Sequence, residues 1–274
     1  MRDWLDSYYG GAGRDARRRY RYASSRWRRR VLSRIWWILL VLLLAAIALP
    51  IVSGAALWVD LGIFVGALMG GIIALLDSPP HRIESWRSGY EGERKTARAL
   101  ARLRRSGCIV LHDLPDRHDT ERRLGGNIDH VVVSPSGVFV LDTKWLGGDV
   151  SIDGDVVRVQ SRDDPEDCSE WPRLARKVRG IAVRLQEDIL QETGVRFVQP
   201  VVVFWSRFEA QLVNGNNIVF IDGERLAEWL AEQPASQSAE WVQRVATSVE
   251  AARPREREPG RLSRRSRRPA LRAG

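Results

Sequence analysis

Residues 127–144 read Asn-Ile-Asp-His-Val-Val-Val-Ser-Pro-Ser-Gly-Val-Phe-Val-Leu-Asp-Thr-Lys, two apolar runs joined by a turn sequence, and they leave the chain few choices of local structure. The β-branched and aromatic residues on both sides of Ser-Pro-Ser-Gly predict an antiparallel hairpin. If Ser134 to Gly137 form a four-residue loop, Val133 faces Val138, Val131 faces Val140, and Asp129 faces Asp142. Side chains alternate with a period of two, so Lys144 shares a face with Asp142. Directly opposed carboxylates repel, and a bound cation is the simplest reason to tolerate them. Two acids able to hold a hard divalent ion, beside a lysine that can steer or deprotonate water, suit phosphodiester hydrolysis.

The blocks around this hairpin carry a family resemblance. Gly92-Glu93 with the helical run 94–105, Asn127-Ile128-Asp129-His130, Gly137-Val138-Phe139-Val140, Asp142-Thr143-Lys144 and Gly147-Gly148 resemble the NERD (nuclease-related) domain of the PD-(D/E)XK restriction-endonuclease-like group. Residues 201–204 and 218–230, with Asp222-Gly223-Glu224-Arg225-Leu226, are similar to its closing strand, strand and helix. The resemblance extends over 88–233. It implies a restriction-endonuclease-like mixed sheet, with Glu93, Asp129 and Asp142 as the acids that bind Mg²⁺, or Mn²⁺ in its place, and Lys144 assisting the attacking water. Trp145-Leu146 stand where the family carries an aromatic residue and an asparagine, a departure that leaves the motif itself intact. A nuclease-like fold does not by itself guarantee nuclease activity.

Charge is distributed unevenly. Residues 1–34 carry eleven arginines and sum to +8, residues 252–274 carry nine and sum to +7, and the total is +9, so the middle of the chain is −6. The basic character belongs to the ends, and the central domain is not a globally cationic nucleic-acid binder. Lys95, Lys144 and Lys177 are the three lysines among 43 basic residues. In a chain whose usual cation is arginine, an ammonium at Lys144 points to a role that a guanidinium cannot fill.

Residues 35–52 contain no charge and follow an arginine-rich arm, so they predict a transmembrane helix of about 27 Å at 1.5 Å per residue. A second uncharged run over 61–76 ends at Asp77-Ser78-Pro79-Pro80. Together they predict a two-helix transmembrane hairpin in the inner membrane, a two-pass protein with both termini and the domain cytoplasmic under the positive-inside rule. Gly62, Gly66 and Gly70 repeat at four-residue spacing, which permits close helix packing, either within the hairpin or by self-association.

From Ser88 the pattern becomes that of an α/β domain. Glu93 opens a helix whose inner stripe includes Ala97 and Leu100. That carboxylate either favours the helix N-terminus or joins the two strand acids, and the residues alone leave both readings open. A strand over 109–111, a polar loop over 118–126, strands at 150–152 and 156–159 around Asp153-Gly154, a helix face from Leu174 to Ile189, strands over 201–205 and 218–221 and a helix over 223–231 complete the expected elements. His130 alternates away from the acids, so packing or a hydrogen bond outweighs metal ligation for it. Cys108 and Cys168 lack zinc-site spacing, and no Gly-rich phosphate loop occurs.

The expected organisation is therefore a basic arm over 1–34, the membrane hairpin over 35–76, a linker over 77–87, the nuclease-like domain over 88–233, a short helical extension over 234–251 and a basic disordered tail over 252–274. The expected activity is membrane-anchored, Mg²⁺-dependent hydrolysis of nucleic acid, with DNA as the leading substrate and the lipid bilayer as a second partner. The alternative is a membrane-tethered binding or scaffold module on the same fold, without catalysis.

Overall fold

The hairpin over 127–144 forms the middle of a six-stranded mixed sheet in the computed structural model, which describes residues 13, 16–31, 33, five positions between 62 and 71, 81–115, 127–164 and 166–252. Helix α1 (His81–Ala101) begins inside the stretch expected as a linker and tightens into a 3-10 turn, Arg102–Ser106. Gly107 ends it at φ 75°, a left-handed cap that glycine adopts without penalty. Strands β1 (Ile109–Pro115), β2 (Asn127–Ser134) and β3 (Gly137–Lys144) follow as an antiparallel meander.

A second sheet interrupts the first: β4 (Gly148–Asp153) and β5 (Val156–Ser161) pair around the left-handed Gly154, and β6 (Cys168–Trp171) adds to β5. Helix α2 (Leu174–Asp188) then returns the chain to β7 (Val198–Phe204), parallel to β3. β8 (Arg207–Phe208) joins the second sheet, while β9 (Leu212–Gly215) and β10 (Ile218–Asp222) close the first in the order β1-β2-β3-β7-β10-β9. Helices α3 (Leu226–Glu232) and α4 (Ala239–Ala251) come last, and Ser238 caps α4 by accepting the Trp241 N–H at 3.2 Å.

The period of two divides the core. Val131, Val133, Val138 and Val140 pack with Ile181, Ala182 and Leu185 of α2 and with Val242, Val245 and Val249 of α4. Val132, Phe139, Leu141, Val201 and Val203 point the other way, toward Leu100 of α1 and Leu226 and Leu230 of α3. Strands covered on both faces read as continuous apolar runs, and each fully buried valine here contributes roughly 1.5–3 kcal/mol. The site sits where this double-sided core gives out at the end of β3.

One expectation fails. Among the described residues no helix is long and apolar enough to cross a membrane. A spanning helix needs about 20 predominantly apolar residues, whereas helix 16–31 is arginine-rich and α1 carries charges throughout. This overturns the two-helix transmembrane hairpin and the two-pass inner-membrane location with cytoplasmic ends, and nothing supports the bilayer as a partner. Most of 35–76 lies outside the described residues, as do the polar loop over 118–126 and the tail over 253–274. At Gly62, Gly66 and Gly70 an added Cβ would meet nothing within 4 Å, so no helix packing among the described residues supports self-association there.

Gly148 gives a stability test. It opens β4 opposite Ser161, and a Cβ there would overlap the backbone carbonyl oxygen of Gln160, which cannot swing aside as a side chain could. Gly148→Ala is expected to lower unfolding stability by roughly 1–3 kcal/mol, the usual range for overpacking, while Gly147→Ala, with open space around it, should be near neutral. Equal denaturation midpoints for the two variants would contradict this packing.

Candidate active site

β2 and β3 set the two acids by register alone. The ladder pairs Ser134 with Gly137, Val133 with Val138, Val131 with Val140 and His130 with Leu141, and just past its end Asp129 lies close enough to Asp142 for their charges to interact. The Thr143 N–H donates to Asp129 Oδ2 at 2.7 Å, fixing that carboxylate across the strand gap. Asp142 is buried and ion-paired through Oδ2 with the Lys144 ammonium. Its Oδ1 lies 3.4 Å from Nζ of Lys177, which reaches over from α2. Asp142 thus has two cations, and Lys177 remains largely exposed.

These neighbours drive the carboxyls apart in acidity. Burial would raise Asp142, but Lys144 and then Lys177 outweigh it and hold the group below its ordinary value. Asp129 is pushed up to about 7, by burial first and by the Asp142 charge second, against the pull of Lys144 and the Thr143 hydrogen bond. Glu93 on α1 is pushed well above the ordinary glutamate value by burial, then by Asp129 and Asp113, with Lys144 opposing and Asp142 adding. Burial would lower Lys144, yet Asp142 and Asp129 raise it, so it stays an ammonium. The arrangement joins a carboxylate held low, an ammonium held high and two carboxyls pushed up in pKa.

The sign of the resulting pH dependence follows from linkage. The folded-state value of Asp129 is about 7 against an ordinary 3.8, so its contribution is full below 3.8 and is lost as pH rises through about 7. Glu93 acts in the same direction. Asn resembles a carboxyl that stays neutral, so Asp129→Asn should gain in melting temperature over the wild type as metal-free buffer is taken from about pH 4 to 8. A difference that stays flat or shrinks with rising pH would mean that Asp129 titrates as an ordinary carboxyl.

Around the carboxyls stands a wall from α1 and the ends of β3 and β7. Thr96 and Thr143 share a buried hydrogen bond of 3.0 Å, and Trp205 donates its Nε1–H to Thr96 Oγ1 at 2.8 Å. Lys95 places Nζ 4.1 Å from the Trp145 ring centroid and 5.2 Å from that of Trp205. Gly92 lets α1 approach Thr143 and Trp145, and Gly223 lets its loop pass against the Trp205 ring, where a Cβ would come within 2.5 Å. The two aromatic side chains are therefore fixed from both sides.

All four residues expected at the site are placed in one electrostatic cluster. Lys177 and Asp113 were not foreseen. Lys177 had a signal, since it is one of three lysines in an arginine-rich chain and all three gather at this end of the sheet. Asp113 had none: the strand was expected to end at Leu111, but it runs to Pro115 with Asp113 at φ 57°, accepting a hydrogen bond from the Asn127 amide. His130 faces away from the acids as expected. It lies 2.7 Å from His112, Nδ1 to Nδ1, in the buried interior, and burial followed by the neighbouring ring holds it well below the ordinary histidine value. One ring of the pair donates its Nδ1–H and the other accepts.

The family model of the nuclease-related domain matches residues 88–205. Over this stretch the chain is similar to the nuclease-related (NERD) domain. The match holds Glu93, Asp113, Asp129, Asp142, Lys144, Lys177 and Trp205, and it ends before β9, β10, α3 and α4, short of the 88–233 expected from the sequence. No curated protein and no solved structure matches the chain.

Similarity to a nuclease-related domain raises the question of a divalent ion. Among the described residues no three His, Cys, Asp or Glu side chains form a ready-made ion-holding group. The donor chemistry nevertheless suits a hard cation: all donors are carboxylate oxygens, and Asp129 and Asp142 raise the pKa of Glu93 while Asp142 raises that of Asp129. Mutual repulsion of this kind is what a cation relieves.

Proposed function

We propose that the NERD domain hydrolyses phosphodiester bonds in DNA with the help of Mg²⁺, and that Mn²⁺ can replace it. The observation that carries this reading is the juxtaposition of Asp129 and Asp142 at the end of the hairpin with Lys144 on Asp142. Asp129 and Asp142 would hold the ion, with Glu93 supporting it. Once bound, Mg²⁺ supplies Lewis acidity toward the phosphoryl oxygens and lowers the pKa of water.

The protein's own groups divide the remaining work. Asp142, kept anionic by two lysines, holds Lys144 in place. Lys144, kept cationic, orients water and offsets negative charge building up on the phosphoryl group, which needs no change in its protonation. Asp129, raised to about 7 in the metal-free protein by burial and the Asp142 charge, would give up its proton to take the ion. Glu93, raised by burial and by the neighbouring acids, adds a third carboxyl from α1. Lys177 is exposed enough to leave Asp142 for an incoming phosphate.

The full-length protein incubated with supercoiled, linear and single-stranded DNA, in Mg²⁺, in Mn²⁺ and in chelator, tests the proposal. Strand scission that requires the metal is expected. Absence of scission on every substrate in both metals would overturn hydrolysis.

A further inference from the structure

A site that acts on a polyanion needs cations to hold it, yet the chain from 35 to 251 sums to −6. The positive charge is split between the two ends, +8 over 1–34 and +7 over 252–274, and the N-terminal helix is docked on the domain. Helix 16–31 lies against the first half of α1: the Arg17 guanidinium stands 5.9 Å from the Tyr90 ring centroid and that of Arg19 5.1 Å from Trp86. The left-handed Gly13 passes under Tyr90, where a Cβ would come within 2.7 Å of the ring. Arg94, next to Glu93, stacks on Tyr90 at 5.5 Å. The packing therefore runs along α1 to the residue beside the site.

The docked helix is two-sided. Ala16 and Val31 are buried and Tyr20 and Trp27 half-buried along one side, while Arg18, Arg21, Arg26, Arg28, Arg29 and Arg30 are exposed. At 3.6 residues per turn these six occupy about half the circumference, and they extend over about 18 Å of helix. No acidic residue interrupts 16–31. A helix lying in a lipid surface needs its apolar side free for the bilayer; here that side is turned inward, and the outer side carries six guanidinium groups with Tyr22 and Ser25 between them. Guanidinium groups suit phosphate, in two-pronged hydrogen bonds as well as by charge.

We propose that helix 16–31 is a rail for the phosphate backbone, gripping duplex DNA without regard to sequence and leading it along α1 to Glu93, Asp129, Asp142 and Lys144. The inference rests on the reading that the substrate is DNA, but it concerns binding and not scission. The rail supplies the positive surface that the domain itself lacks.

The test uses the full chain in chelator, so that nothing is cut, and follows the fluorescence anisotropy of a labelled duplex of about 30 base pairs across a salt series. Replacing Arg18, Arg21, Arg28 and Arg29 together by Gln is expected to weaken binding at least tenfold. It should also flatten the slope of log K against log salt by about 3–4, near 0.9 for each phosphate that is no longer neutralised. The same four positions changed to Lys should keep the slope, with circular dichroism confirming that both variants stay folded. Gln variants that bind with wild-type affinity and slope overturn the rail, as do Lys variants that lose as much as the Gln ones. A Gln variant that loses only its attachment to phosphatidylglycerol vesicles while holding DNA also overturns it. Scission is scored separately on the wild type with Mg²⁺. DNA held through these arginines but never cut supports the rail and defeats the hydrolase reading; DNA cut with arginine-independent binding does the reverse.

Discussion

Asp142→Asn is expected to lower kcat for DNA scission by roughly 10²–10³-fold, the scale on which the loss of one preorganised electrostatic partner acts. The amide keeps the size of the carboxylate but cannot be the anion that faces Lys144 and Lys177. Two changes follow together: the ion loses a ligand, and Lys144 loses the partner that fixes it. Opposed carboxylates considered alone would predict a more stable variant, through relief of repulsion with Asp129. The lysines reverse that expectation. Asp142 is a buried counter-ion to two ammonium groups, so its loss is expected to cost about 1–3 kcal/mol of stability in metal-free buffer. Asp129 should meanwhile titrate below about 7, since the Asp142 charge is one cause of its elevation. Scission rates, urea midpoints and carboxyl titration by NMR read the three effects separately. Wild-type activity in this variant would remove Asp142 from the chemistry.

Lys144→Arg is expected to cost about 10²-fold in kcat with KM within a few-fold of wild type, because the charge survives and the compact ammonium does not. Lys144 is about one-fifth exposed and lies between a buried acid and the strand end. A planar guanidinium with five donors needs more room and holds its partner in a different geometry. The Mg²⁺ dependence of the residual activity should change little, since Asp129 and Asp142 remain. Full activity in Lys144→Arg would mean that this position supplies positive potential alone.

The hairpin and its register were legible because both follow from a period of two and a four-residue turn, local quantities that Val131, Val133, Val138 and Val140 report directly. The helix over 174–188 and the strands β7 and β10 were legible for the same reason, as uninterrupted apolar patterns. β6 was not: all four of its residues are exposed, so no alternation marks it. β8 is two residues long and β9 is half exposed. At the site, Asp129 to Lys144 could be placed from one segment, whereas Lys177 depends on how α2 packs and Asp113 on a backbone turn inside β1. The membrane hairpin came from apolar composition, and no helix among the described residues bears it out.

The mixed sheet also orders the assembly of the site in time. β2 and β3 meet across a turn of a few residues, so Asp129 and Asp142 come together as soon as the hairpin closes. Leu141 and Val201, paired in β3 and β7, are 60 residues apart, and only that slower closure docks α2 and sets Lys177 and Trp205 in place. The like charges thus meet early, with Lys144 as their sole local counterweight, and the second ammonium arrives late. Newly made chains should accordingly pass through a stage in which the β2–β3 hairpin is weakest at its charged end, where amide exchange at Thr143 would outlast that at Val131 and Val140.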